Sequence, residues 1–270
     1  MVMASEMIIF IRELKRNRKS FIIWTASLVL FNIMIMSLFP SIADNTKMYD
    51  EMIKEFPKGI IEVFGLDKIS MFTILGFFGT ESYLFITLFG SIYAMLLGAS
   101  ILSKEESEKT IEFLLAKPVT RSTIVTAKAA NVFFYITLFN LIFSFTNYLM
   151  FEAVKKEEYS LKALLMLSAG PWLLHLTFAA IGLLISVFVV KAKSVYPVSI
   201  GFVLVMYFIN VMSSISEKLT NLKYFTPFKY VDAPDIIINE KIEPIYLIIM
   251  LIIITVSIAA TYVLYNRKNM

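Results

Sequence analysis

Six long apolar runs constrain the fold of this 270-residue chain more than any other feature of its sequence. A helix needs about 20 apolar residues to cross a bilayer, because backbone groups cannot stay unpaired in hydrocarbon. Charged residues make up only 17% of the chain, too few for the surface of a soluble domain of this length. The sequence therefore predicts an all-α polytopic membrane protein, a single transmembrane domain over residues 1–270 with six transmembrane helices. The predicted spans cover residues 21–39, 76–102, 124–150, 171–190, 195–212 and 245–265.

The fourth apolar run contains a proline, Pro171, which follows an apolar stretch at Leu161–Ala169. Proline is well tolerated in the first turn of a helix, where its missing N–H has no intrahelical partner anyway. We therefore expect the fourth span to begin at Pro171 and the preceding stretch to form a separate juxtamembrane helix. The second span is expected to start as early as Ile74.

Charge on the connecting segments predicts the orientation of the spans. Six spans place both termini on one side, and Lys and Arg favour the cytoplasmic side. If the N-terminus is cytoplasmic, the inner segments contain 6 acidic residues and the outer segments contain 14. The acidic residues of the outer segments offset the positive charge of the Lys and Arg residues there. This favours cytoplasmic N and C termini in the cell (plasma) membrane. The basic residues of the first inner segment are expected to anchor it to anionic headgroups: Arg12, Lys15, Arg16, Arg18 and Lys19.

The absence of certain residue types and motifs limits the classes of function that the chain can have. There is no Cys, and the single His175 is expected to be an interfacial hydrogen-bonding group, so no metal site or catalytic relay is predicted. No Gly-rich loop ending in Gly-Lys-Ser or Gly-Lys-Thr is present to cradle nucleotide phosphates, so the chain is expected to bind no nucleotide by itself. The sequence thus predicts no enzyme activity and no bound cofactor for this chain, and no nucleic-acid partner.

A few polar residues lie at membrane depth. Asn140 and Asn147 are seven residues apart on one face of the third span, and Glu81 lies near the outer end of the second. These three residues are weak candidates for a substrate path. The alternative is that the two amides only hydrogen-bond neighbouring helices and that the carboxylate is hydrated.

Small residues recur along the second span at Gly90, Ala94 and Gly98. Residues of this size at every fourth position let two helix backbones approach closely. The pattern is compatible with a dimer interface, but packing inside one six-helix bundle requires the same face and is the favoured interpretation.

The segment 103–121, between the second and third spans, is the most informative stretch. Ser103 and Glu106 have the spacing of a capping box, and Ile111, Leu114 and Leu115 form an apolar stripe on a charged helix. Pro118 ends that helix, because proline disfavours helical conformation in the residue before it. The pattern predicts a short amphipathic helix, which either lies on the headgroups or inserts its apolar face into a groove of a cytosolic partner.

The string EESEKTIEFLLAKPVTRSTIVTAK resembles the stretch between the second and third spans of ABC-2 type transporter permeases. That stretch typically reads E-E-x-x-G-T-x-E-x-L-L-x-x-P-V-[ST]-R followed by a Lys, and Lys109 stands where the family usually has Gly. Weaker similarities at Leu38–Ser41, Phe64–Asp67 and Thr226–Tyr230 extend the resemblance over nearly the whole chain. The matching positions are Glu105, Glu106, Thr110, Glu112, Leu114, Leu115, Pro118, Val119, Thr120, Arg121 and Lys128.

The resemblance implies the membrane subunit of an ABC exporter. Two such chains, identical or paralogous, would assemble with two copies of a separate ATP-binding subunit, which would hold ATP and Mg²⁺. The segment 103–121 would act as a coupling helix, with apolar residues seated in a cleft of the ATPase and charged neighbours in rim or intrachain ion pairs. The expected coupling residues are Glu105, Glu106, Thr110, Ile111, Glu112, Leu114, Leu115, Pro118 and Arg121.

Two other functions remain open from the sequence. A stand-alone carrier or channel without ATP is the main alternative, although the spans lack the buried charge pairs of ion-coupled carriers. An intramembrane protease is the second, because Glu105 and Glu106 form a glutamate pair, but its other catalytic His residues are missing. The apolar spans suggest a hydrophobic or amphipathic cargo, such as a drug, an antibiotic peptide or a lipid-like molecule.

Overall fold

The apolar runs satisfy their backbone groups internally by forming helices. The computed structural model describes residues 2–107, 119–189, 191–215 and 217–268. Within these ranges the secondary structure is helical without a strand, and six helices are long and apolar enough to cross a membrane. The prediction of an all-α chain with six spans is therefore confirmed. In chain order the spans are built on helices Val2–Met36, Tyr83–Ser107, Arg121–Val154, Leu161–Ile185, Ala192–Ile215 and Pro244–Arg267.

The two ends of the bundle differ in structure. We call one the proximal end, where the second span ends at Ser107, the third begins at Arg121 and the sixth ends at Arg267. At the opposite, distal end the chain forms short elements instead of simple turns. These are the α-helices Phe39–Asp44, Thr46–Lys54, Lys58–Phe64 and Ala233–Asn239, and the 3₁₀-helices Glu217–Phe225 and Pro227–Val231.

The second span begins at Ile74, as expected, but it is not a uniform α-helix. The Thr73 hydroxyl accepts a hydrogen bond of 3.2 Å from the Gly76 N–H and so caps the first turn. A π-helical turn, Phe78–Ser82, follows before the regular helix Tyr83–Ser107. A π-helical turn places one extra residue in the helix and is frequent at functional sites. Glu81 lies in this turn.

The fourth span is one continuous helix, Leu161–Ile185, with Pro171 in its interior. The expectation of a span that starts at Pro171 after a separate juxtamembrane helix is wrong. The helix begins instead at Leu161 and is capped by Ser160, whose side chain accepts a hydrogen bond of 3.2 Å from the Ala163 N–H. A proline inside a membrane helix is tolerated because neighbouring helices and polar side chains can satisfy the freed backbone group.

The second and fourth spans form the centre of the bundle, with 67% and 56% of their most apolar stretches buried inside the chain. Gly98 faces the backbone of Ala179, and a Cβ atom at Gly98 would collide with that carbonyl oxygen. Gly182 approaches the second span in return, and a Cβ there would lie 2.6 Å from the Met95 carbonyl oxygen. The small residues of the second span thus serve packing within one bundle, which confirms the favoured interpretation.

The fifth and sixth spans lie at the periphery, with only 11% and 17% of their most apolar stretches buried inside the chain. Their outward faces carry large exposed apolar side chains. A bilayer or another chain must cover such surfaces, because soluble proteins seldom expose apolar patches of this length. The exposed residues on these two helices include Tyr196, Val205, Phe208, Met212, Ile248, Ile252 and Val256.

Candidate functional site

A cluster of charged residues is buried at the proximal end, where three spans meet. Lys128 of the third span donates hydrogen bonds to Glu13 Oε1 of the first span at 3.1 Å and to Glu105 Oε1 of the second at 3.2 Å. The Lys128 ammonium also donates to the Ile101 carbonyl oxygen at 2.6 Å. The side chain of Lys128 is fully buried, and those of Glu13 and Glu105 are 1% exposed. We call these residues, with the two arginines described next, the proximal cluster. The expectation that the spans lack buried charge pairs is therefore wrong.

Two arginines of the first span complete the proximal cluster. Arg12 and Arg16 are four residues apart, so both project from one face of the helix. Their guanidinium groups lie 2.5 Å and 3.1 Å from Glu105 Oε1, and Arg12 also lies 3.3 Å from Glu13 Oε1. The expectation assigned both arginines to lipid headgroups, whereas the structure directs them to Glu105. Among the described residues, three cations thus face two carboxylates, and both arginines are partly exposed.

Amide contacts continue the attachment of the first span toward the membrane. Asn17 donates to Asn131 Oδ1 of the third span at 3.2 Å, and Lys104 of the second span donates to Asn17 Oδ1 at 3.4 Å. The Tyr135 hydroxyl donates to the Leu14 carbonyl oxygen at 2.5 Å. Buried polar contacts of this kind fix the relative position of helices, because leaving any partner unsatisfied costs free energy. The first, second and third spans are therefore joined at their proximal ends.

Arg121, at the start of the third span, contacts the end of the sixth. Its guanidinium donates to the carbonyl oxygens of Tyr265 at 3.3 Å and Asn266 at 3.1 Å, and to that of Lys268. The last carbonyls of a helix have no intrahelical partner and carry negative partial charge, so a cation there is favourable. Thr120 caps the third span by accepting a hydrogen bond of 3.1 Å from the Thr123 N–H.

The segment 103–121 therefore has both ends attached to the bundle through described residues. Glu105 is held in the proximal cluster, and Arg121 is held on the sixth span. The side chain of Glu106 and the centre of the segment lie outside the described residues, so the coupling helix stays a prediction. The predicted coupling residues in that centre are Thr110, Ile111, Glu112, Leu114, Leu115 and Pro118.

The two candidate asparagines of the third span lie in buried hydrogen bonds with neighbouring helices. Asn147 Oδ1 accepts from the Asn32 side chain at 2.7 Å. Asn140 Oδ1 lies 3.1 Å from Nδ1 of His175, and its amide nitrogen donates to the Ile136 carbonyl oxygen at 2.8 Å. These contacts match the interhelical alternative, and a part for the two residues in a substrate path stays a prediction.

His175 is buried in the fourth span between the second and third spans. Its Nε2 atom lies 3.1 Å from the carbonyl oxygen of Ile86. Gly90 makes room for the imidazole, because a Cβ atom at that position would collide with the ring. The residue is therefore a hydrogen-bonding bridge between three spans, deeper in the bundle than the expected interfacial position.

The distal end carries its own charges. Lys229 donates to Asp232 and Asp235 at 2.9 Å each. Burial raises the pKa of Asp232, and the Lys229 ammonium offsets this only in part. Glu81, the third candidate for a substrate path, is half-buried at this end and lies beside an apolar cavity.

A protein-family model described as "ABC-2 family transporter protein" matches residues 7–270. The chain belongs to this family. No curated protein sequence matches the chain. The family match covers nearly the entire chain, as the resemblance of the loop motif had indicated. This ABC-2 family chain is accordingly a multi-pass membrane subunit of the transporter type, and the family is generally not catalytic itself.

In this ABC-2 chain, Glu105 and Arg121 were predicted from the sequence as site residues, but the residues that they contact were not. Glu13 was missed because a carboxylate in a basic segment resembles an ordinary surface residue. A signal was present, since Glu13 is one of two acids in residues 1–20 and Lys128 is a single cation just inside a span. A lone cation inside an apolar span predicts a carboxylate partner on a neighbouring helix, because burying the cation alone is costly.

Proposed function

We propose that the chain is the membrane subunit of an ATP-driven exporter, coupled to separate ATP-binding subunits through the segment 103–121. Two copies, or this chain and a paralogous one, form a translocation path between two six-helix bundles. ATP and Mg²⁺ bind to the partner ATPase, and this chain supplies the path and the contact surface. The proximal end faces the cytoplasm of the cell, so that both termini lie inside.

The observation that carries the proposal is the attachment of Glu105 to the first and third spans. Glu105 lies at the start of the segment, and its carboxylate is held by Lys128, Arg12 and Arg16. A displacement of Glu105 would therefore act on three helices at once. Rigid attachment of this kind is what a mechanical input needs if it is to reach the membrane helices.

The attachment of Arg121 to the sixth span extends the linkage. When the ATPases close, the segment 103–121 is displaced, and Arg121 would carry the displacement to the carbonyl end of the sixth helix. The second and fourth spans interlock through Gly98 and Gly182 and would follow as a unit. The result is a tilt of the bundle that changes access to the cavity between the two subunits.

The apolar outer faces support both a second chain and an apolar cargo. The fifth and sixth spans bury few of their side chains within the chain, so their surfaces meet lipid or a partner subunit. A cavity lined by such faces suits a hydrophobic or amphipathic molecule, because polar groups are scarce there to replace the hydration of a charged solute. We therefore expect the cargo to be a drug, an antibiotic peptide or a lipid-like molecule.

A mild-detergent pull-down of the tagged chain from its native host tests the coupling. We expect a stoichiometric partner with a phosphate-binding loop and ATPase activity, and loss of that partner in Leu114→Asp. The matched control is Leu161→Asp, an exposed leucine in the first turn of the fourth span at the distal end. Membrane insertion of both variants is checked by their yield in the membrane fraction.

If Leu114→Asp keeps its ATPase and exports normally, the coupling assignment is wrong. If no ATPase co-purifies with the unaltered chain under conditions that preserve other transporter complexes, the chain works as a stand-alone carrier or channel. In that case the segment 103–121 would be an element of the membrane surface.

A further inference from the structure

An apolar cavity of about 300 Å³ lies at the distal end of the first and second spans. The end of the first span, the short helices after it and the π-helical turn of the second span enclose it. Among the described residues that line the cavity, one carries a charge, Glu81. Its apolar lining includes Ile35, Ile42, Met52, Phe56, Leu66 and Phe77.

The carboxylate of Glu81 is half-buried and has no partner in the described part of the chain. No described side chain or backbone group forms a hydrogen bond or an ion pair with it. Several other distal carboxylates are paired with lysines, and the unpaired Glu62 and Asp67 are exposed to solvent. These pairs include Asp44 with Lys156, Glu240 with Lys162, Glu243 with Lys241, and Asp232 and Asp235 with Lys229.

The local helix geometry at Glu81 is also unusual. It lies in the π-helical turn Phe78–Ser82, where the extra residue re-aims side chains relative to a regular helix. An unpaired carboxylate against apolar side chains is costly, and a cation that enters the cavity removes that cost. The cavity therefore offers a hydrophobic surface and a single counter-charge to the same molecule.

We propose that this cavity binds an amphipathic cation, a molecule with a compact hydrophobic body and one protonated amine. The amine contacts Glu81, and the body packs against Ile42, Met52 and Phe77. The volume corresponds to the smaller end of known small-molecule sites. Leu38, Met52 and Phe56 line the mouth and are exposed, so an amphiphile dissolved in the membrane boundary reaches the cavity along an apolar surface.

The site does not depend on coupling to an ATPase, because it is formed by one chain and lies at the distal end. Binding to the purified chain can therefore be measured whether or not the exporter proposal holds. Two kinds of molecule carry such an amine, a membrane lipid with an amine headgroup and a free cationic amphiphile. The choice of lipid in the experiment distinguishes them.

The test uses two probes of the same shape, 1-aminoadamantane and 1-adamantanol, of which only the first is cationic. Both are titrated by calorimetry into the full chain in nanodiscs of phosphatidylcholine, with empty nanodiscs as the blank. We expect the amine to bind at least about tenfold more tightly than the alcohol, because a hydrogen bond to a charged group favours the cation. Equal affinity of the two probes would overturn the proposal without any variant.

Variants then assign the preference to Glu81. Glu81→Gln keeps the shape of the side chain and is expected to bring the amine and the alcohol to equal affinity. The matched control Glu62→Gln, on an exposed acid of helix Lys58–Phe64, should leave the tenfold preference unchanged. Met52→Trp fills the cavity and should weaken both probes together. If Glu81→Gln retains the preference for the amine, the site is not at this carboxylate.

Replacing half of the phosphatidylcholine by phosphatidylethanolamine distinguishes the two sources. A loss of amine affinity in the unaltered chain, absent in Glu81→Gln, assigns the site to a lipid amine. Unchanged affinity assigns it to a free amphiphilic cation. A loss that is equal in both chains would arise from the bilayer alone and would contradict occupation of the cavity by lipid.

Discussion

Lys128 and Glu105 form an ion pair of 3.2 Å between the third and second spans, with both side chains almost completely shielded from solvent. Burying two charges costs several kcal/mol per ion, so such a pair persists only with good geometry and further partners. Glu13 completes the environment of Lys128, while Arg12 and Arg16 complete that of Glu105. Each buried charge of the proximal cluster thus depends on its partners, and removing one residue should destabilise the contacts of the others.

The first prediction follows from that dependence. Lys128→Met is expected to lower the free energy of unfolding by about 3–5 kcal/mol, the usual cost of breaking a buried pair by removing one partner. Glu13 and Glu105 would both lose their fully buried cation. Thermal unfolding of the purified chain in mild detergent, followed by intrinsic fluorescence, measures the change.

Lys162→Met is the matched control, because Lys162 is 65% exposed and lies 3.7 Å from Glu240. An exposed pair contributes at most about 1 kcal/mol, so this variant should unfold close to the unaltered chain. The double variant Lys128→Met with Glu13→Gln should recover part of the lost stability. Equal losses at Lys128 and Lys162 would show that burial of the cluster does not govern its energetics.

The proximal cluster also shows what could and could not be predicted from sequence. Six spans followed directly from apolar run length, because the bilayer imposes one structural solution on such runs. The start of the fourth span was misplaced, since Pro171 fits either the first turn of a helix or a buried interior position. The two positions differ in whether neighbouring helices satisfy the freed carbonyl, which is a tertiary property.

Residue roles were predictable where a local motif existed and were not where partners are distant in sequence. The cap at Thr120 is a local motif of this kind, because the cap and its target are three residues apart. The pairing of Glu13 with Lys128 spans 115 residues, and Glu81 lines one cavity together with the helices that follow the first span. Neither is visible in a window of one helix.

The second prediction concerns the close packing of the central spans. Gly98→Ala is expected to destabilise the chain by about 1–3 kcal/mol, because the added Cβ collides with the Ala179 carbonyl in a contact that has no free space. Gly201→Ala is the matched control, since nothing lies within 4 Å of a Cβ at that position. Alanine favours a helix over glycine, so the control should be neutral or stabilised by up to about 1 kcal/mol.

Both glycine variants are compared in the same detergent by their melting temperatures. Because the two replacements are chemically identical, a difference between them reports helix contact and not propensity. If Gly98→Ala melts together with Gly201→Ala, the second and fourth spans are less tightly packed than the structure indicates.

The third prediction tests the contact between the start of the third span and the end of the sixth. Arg121→Ala removes the hydrogen bonds that its guanidinium donates to the carbonyls of Tyr265, Asn266 and Lys268. The last turn should fray, and its amide hydrogen exchange should accelerate roughly tenfold, as expected for the loss of charge-assisted bonds. Exchange followed by mass spectrometry of peptides that cover residues 258–268 measures the effect.

Arg18→Ala is the control for this experiment, because Arg18 is an exposed arginine of the first span. It should leave exchange at residues 258–268 unchanged. Unchanged exchange in Arg121→Ala would mean that the sixth span holds its last turn without Arg121, and the linkage from the segment 103–121 to that span would be lost.

The fourth prediction uses the titration of Lys229 at the distal end. Burial alone would lower the pKa of Lys229, but the charges and hydrogen bonds of Asp232 and Asp235 outweigh it and raise the pKa above its ordinary value of 10.5. A group whose pKa is raised in the folded state contributes stability that is fully present below pH 10.5 and is lost as pH rises through the folded pKa. Proton titration of ¹³C-methylated lysines by NMR should locate Lys229 above 10.5.

Asp235→Asn removes one of the two carboxylates that hold the ammonium and should lower the pKa of Lys229. The control Asp67→Asn replaces an exposed acid in the first distal segment and should leave that pKa in place. The same two variants measure how much the pairing of Lys229 contributes to stability at alkaline pH. As the pH is raised, Asp235→Asn should unfold at a lower pH than Asp67→Asn. A Lys229 pKa at or below 10.5 in the unaltered chain would show that burial outweighs the two carboxylates, and the sign of the alkaline dependence would then be reversed.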